Sequence, residues 1–64
     1  MSRLALVVDD HPDSRTAIAR LLSEAGFEVD AVADGIAALD RLSRGPRPDV
    51  IVVDLMMPRL SGWE

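Results

Sequence analysis

A chain of 64 residues with net charge −4 and no cysteine holds at most one small domain, with neither disulfide nor thiolate metal site to supplement its core. Its seven basic residues are all arginine and form no run, so nothing here favours a grip on nucleic acid or an anionic membrane. No apolar stretch approaches the ~20 residues of a membrane span, and the start lacks the pattern of a signal peptide, so a soluble cytoplasmic protein is expected.

Leu4-Ala5-Leu6-Val7-Val8 is aliphatic throughout, the pattern of a strand buried on both faces of a parallel sheet, and it closes on Asp9 and Asp10. His11-Pro12-Asp13-Ser14 follows as a loop with several good helix-starting residues, so the cap is not assigned to one position. The helix is expected to run to about Ala25, with Ala17, Ile18, Leu21, Leu22 and Ala25 on one stripe and Arg15, Arg20 and Glu24 on the polar side. Gly26 suits a left-handed stop.

Phe27-Glu28-Val29-Asp30-Ala31 alternates apolar and polar, as a sheet-edge strand with one solvated face would. Asp34-Gly35 opens a second helix whose Ile36, Ala38, Leu39 and Leu42 are expected to face inward, and Gly45-Pro46-Arg47-Pro48 stops it. Val50-Ile51-Val52-Val53 forms a third, uncharged strand that closes on Asp54.

The order is therefore β-α-β-α-β, and right-handed crossovers make both connections parallel. The alternating second strand belongs on the outside, which gives the spatial order 2-1-3 and sets the C-terminal ends of strands 1 and 3 side by side. Asp9, Asp10 and Asp54 then share one edge, where open α/β sheets bind ligands. Clustered carboxylates repel one another, which favours a hard divalent cation such as Mg²⁺. The third strand has no partner on its outer side, an association hazard that predicts a homo-oligomer formed through that edge.

With these residues in place, the chain resembles the receiver domain of two-component response regulators, over its whole length but only the first half of that fold. The resemblance rests on Asp9-Asp10 after strand 1, on Asp54-Leu55-Met56-Met57-Pro58 after strand 3 with Ser61-Gly62 beyond, and on Asp34-Gly35 with Ala38-Leu39. It implies a partial flavodoxin-like, doubly wound α/β sheet, so residues 1–64 read as a receiver domain truncated before its third helix. It also implies a phosphoacceptor signalling module rather than an enzyme, with Asp54 taking a phosphoryl group from a histidine kinase or phosphotransfer protein. Asp9, Asp10, Asp54 and the backbone carbonyl of Met56 would hold Mg²⁺. The family's Ser or Thr after strand 4 and Lys after strand 5 have no counterpart in these 64 residues, which contain no lysine. Each such contact is worth about 3 kcal/mol of barrier by analogy with single oxyanion donors, so phosphorylation of this half alone is expected to be slow.

Blander readings stand beside these. The three aspartates can be strand-end residues without a ligand, at the cost of their mutual repulsion. His11 reads as a solvated loop residue, Ser14 and Ser61 as helix-starting residues, Met56 and Met57 as loop packing, Arg59 as solvated, and Trp63 as a packing residue of a third helix. A purely structural half-domain that self-associates or docks without phosphorylation remains open. An aspartyl-nucleophile phosphohydrolase fits less well, because Asp9-Asp10-His11 lacks an acid two positions past Asp9. No glycine-rich phosphate loop follows strand 1.

Overall fold

In the computed structural model, which describes residues 3–54, the elements follow the expected order: β1 (Arg3–Val8), α1 (Pro12–Glu24), β2 (Phe27–Val32), α2 (Gly35–Arg44) and β3 (Val50–Val53). Both β1–β2 and β1–β3 are parallel, and the sheet order is β2-β1-β3. The chain is thus an α/β structure matching a truncated flavodoxin-like sheet. Among the described residues no helix is long and apolar enough to cross a membrane.

The core lies on β1. Leu6 and Val8 pack with Ala38 of α2, joined by Val32 and Leu42. Ala5 and Val7, which alternation turns to the other face, are also fully buried. An aliphatic strand without alternation ends up central because only a central strand has both faces covered.

Local chemistry sets the helix ends. His11 is the N-cap of α1 in extended backbone, and Pro12 follows, where its fixed φ suits the first turn and its missing N–H is not needed. Gly26, at φ +101°, turns the chain out of α1 as the sequence predicts. Asp34 caps α2, its carboxylate accepting the Ala37 N–H at 2.8 Å. Arg41 and Arg44 sit in the last turn, where the helix dipole favours cations.

Two polar contacts tie the layers together. Asp49 brackets Leu4, donating its N–H to the Leu4 carbonyl at 2.7 Å and accepting the Leu4 N–H on Oδ2 at 2.8 Å, which fixes where β3 joins β1. Arg41 donates from Nε to Asp30 Oδ2 at 2.7 Å and from Nη1 to the Pro46 carbonyl at 3.0 Å, joining α2, β2 and the loop before β3. That pair is why Asp30 is half-buried on a strand face expected to be solvated.

Three burial expectations are corrected. Ile36 is 82% exposed and Leu39 70% exposed, so only Ala38 and Leu42 of the four α2 residues point into the core. On α1, Ala17 and Leu21 are exposed while Ile18 and Leu22 are half-buried. Val50, Ile51 and Val53 are exposed although β3 reads as doubly buried. The cause is common: among the described residues β3 is bonded on one side only, and α2 packs over β1 and β2 rather than over β3.

Asp34→Ala, which removes the carboxylate from Ala37, is expected to cost about 1 kcal/mol of stability in urea denaturation, whereas Asp34→Ser should stay within a few tenths of that value of wild type, ~0.3 kcal/mol.

Candidate functional site

The C-terminal edge of the sheet carries the acidic residues. The last register pair is Val8 with Val53, and the Asp54 N–H continues the ladder to the Val8 carbonyl at 2.9 Å. On the other side the Asp9 N–H donates to the Val32 carbonyl at 3.1 Å. The backbones of Asp9 and Asp54 are therefore held beside one another by main-chain bonds, which depend on register and not on side-chain identity.

Asp9 is the unusual member, a carboxylate only 1% exposed. Its Oδ1 accepts the His11 N–H at 2.9 Å, the local turn that Asp side chains form with the residue two positions on. Its backbone carbonyl accepts from Arg15 Nη1 at 3.0 Å. Oδ2 is buried and, among the described residues, has no hydrogen-bond partner. An uncompensated buried carboxylate oxygen costs several kcal/mol in effective terms, and a hard cation is one kind of partner that would offset it.

Asp10 is exposed, and its Oδ1 lies 4.0 Å from His11 Nδ1. His11 is itself exposed at the N-cap of α1, as a loop histidine should be. Asp54 is half-buried. Among the described residues, no three Asp, Glu or His side chains are gathered closely enough to hold a metal ion alone. Mg²⁺ needs no such cage, since it keeps several waters and uses one or two carboxylates. The donor set is hard oxygen throughout and fits such an ion, for which Asp9 Oδ2 would be a first ligand. Met56 lies outside the described residues, as do the expectations for Met57, Arg59, Ser61 and Trp63.

Sequence reading missed Arg15, which was placed only on the polar side of α1. Its contact runs six residues back across a loop, a separation that helical periodicity does not report. The available signal was a cation in the first turn of a helix that starts directly after an acidic pair.

Below this edge, α2 and β3 leave an open groove of about 690 Å³, lined by Leu6, Val8, Ile36, Leu39, Ile51 and Val53 among others. Its lining is mostly apolar, with Asp34 of the α2 cap also on it.

The chain is similar to the response regulator MprA of Mycobacterium tuberculosis (strain ATCC 25618 / H37Rv) and of Mycobacterium bovis (strain BCG / Pasteur 1173P2). Each is 47% identical over 64 residues, all of this chain and 27% of the relative. Response regulator MprA of Mycobacterium sp. (strain KMS) is 48% identical over 59 residues, 92% of this chain and 25% of the relative. The chain thus spans about a quarter of the length of these relatives. No solved structure matches it at significance. The sequence model of the response regulator receiver domain matches residues 5–64. With two parallel crossovers, a buried aspartate after β1 and Asp54 bonded beside it after β3, the chain belongs to the response regulator receiver domain family.

Proposed function

We propose that this chain is the N-terminal part of a phosphoacceptor receiver domain and that Asp54 accepts the phosphoryl group. Membership of the family makes it a signalling domain of two-component systems rather than an enzyme of ordinary type. The observation that supports the finer reading is the buried Asp9 Oδ2, without a hydrogen-bond partner among the described residues, in a residue that directly follows the Val8 whose carbonyl accepts the Asp54 N–H.

In the transfer, a carboxylate oxygen of Asp54 attacks the phosphorus of a phosphohistidine on a histidine kinase or phosphotransfer protein. The P–O bond forms as the P–N bond breaks, leaving an aspartyl phosphate, and the departing imidazole nitrogen takes a proton from solvent. Asp9, Asp10, Asp54 and the carbonyl of Met56 are the proposed Mg²⁺ ligands. When bound, Mg²⁺ would supply the neutralisation that two approaching anions require. Asp9 serves by its fixed position: with its backbone and Oδ1 already engaged, only Oδ2 is left to face the site. A cytoplasmic location accords with these partners.

A second reading has its own support. Exposed Val50, Ile51 and Val53, with Ile36 and Leu39 across the groove, favour self-association through the β3 edge, as an extra strand would add to an open sheet. A half-domain that pairs or docks without phosphorylation would need only this surface.

Intact-mass spectrometry after incubation with a small phosphodonor and Mg²⁺ should show a phosphoryl adduct that is absent from Asp54→Asn; a folded chain without an adduct would put the structural reading ahead. Light scattering at rising concentration should show species larger than a monomer, and Ile51→Glu on β3 should restore the monomer. A strictly monomeric wild type would remove the self-association reading.

A further inference from the structure

We infer that Arg15 is a positioning residue for the metal site: its guanidinium, by gripping the backbone carbonyl of Asp9, holds the β1–α1 loop in the one arrangement that leaves Asp9 Oδ2 free for a cation. The inference rests on the receiver reading above and adds a residue to it.

The polar groups of Asp9 account for one another. Its N–H is taken by Val32, at 3.1 Å on the sheet ladder. Oδ1 is taken by the His11 N–H at 2.9 Å, inside the loop. The carbonyl is taken by Arg15 Nη1 at 3.0 Å, from the first turns of α1. Only Oδ2 remains, at a residue 1% exposed. Of the three contacts, the Arg15 grip alone reaches across the loop to the helix. Without it the peptide between Asp9 and Asp10 loses its outer tether, and rotation there moves both carboxylates.

A half-buried arginine near a cation site can act in two opposite ways. As a nearby positive charge it would weaken cation binding, so its removal would tighten the site. As a donor that orients a ligand-bearing loop it would strengthen binding, because outer partners of metal ligands typically contribute 10–100-fold in affinity. The contact is directed at a backbone carbonyl, not at a carboxylate, so the guanidinium does not neutralise the ligand it steadies. The geometry therefore favours the second effect, and the two differ in sign.

The test is calorimetric titration of Mg²⁺ into the wild-type chain, Arg15→Met and Arg15→Lys, with far-UV circular dichroism on each. Arg15→Met keeps the aliphatic stem and removes the donor. It should bind Mg²⁺ about tenfold more weakly with an unchanged fold. Arg15→Lys keeps the charge and an ammonium donor on a slightly shorter stem and should restore most of that loss. Unchanged or tighter binding by Arg15→Met overturns the proposal, as does loss of fold in that variant, which would make the contact structural. A folded Arg15→Lys that binds as weakly as Arg15→Met also overturns it. If the folded wild type binds no Mg²⁺, the metal reading itself falls; if wild type and Arg15→Met bind equally, only the role of Arg15 does.

Discussion

Everything in this half-sheet depends on β1 being hydrogen-bonded along both edges and covered on both faces. It is paired in parallel with β2 and β3, and Ala5, Leu6 and Val7 lose all solvent exposure. Neighbouring ladders fix the height of the three strands relative to one another, so the residues that follow β1 and β3 emerge at the same edge. The acidic site inherits its position from main-chain bonds formed well below it. A slip of one residue in the β1–β3 ladder would separate Asp9 from Asp54 and turn the slipped strand's side chains to the opposite faces.

The burial of Asp9 has a cost that the described residues offset only in part. Its carboxylate is satisfied on one oxygen and, among the described residues, bare on the other, while its backbone is tied at both N–H and carbonyl. Local destabilisation of this kind is common where a site must be ready for a ligand, since the ligand supplies the missing interaction on arrival. The helical N-terminus beside it contributes in the same direction. His11 and Pro12 start α1 without a side-chain cap, leaving backbone donors of the first turn at this edge of the sheet.

The opposite imbalance holds on the α2 side. Asp34, Arg41 and Asp49 anchor α2 and β3 firmly at their ends, through the Ala37 N–H, the Asp30 carboxylate and the Leu4 backbone. Between these anchors the apolar residues of α2 nearest β3 meet no facing layer. The groove is thus built by well-determined elements and is open because, among the described residues, β3 has a neighbour on one side only. Its apolar exposure is the physical source of any tendency to associate.

Much of this was legible in the residues alone. The unbroken aliphatic run in β1, the alternation in β2, Gly26 after α1 and Asp34 before α2 were enough for the element order, the parallel pairing and the strand order 2-1-3. They also put Asp9 and Asp54 at a common edge. Those features are local, because propensity, periodicity and capping act over a few residues. Contacts between elements decided the rest. Periodicity marked Ile36, Leu39 and Ile51 as apolar without saying whether a layer would cover them, and packing left them exposed. Nor could spacing show that Arg15 would reach back to the Asp9 carbonyl, that Arg41 would draw in Asp30, or that one oxygen of Asp9 would be buried without a partner. Those outcomes belong to the tertiary structure, because a hydrogen bond between distant segments depends on where both segments are finally held, and one-dimensional pattern carries no such distance.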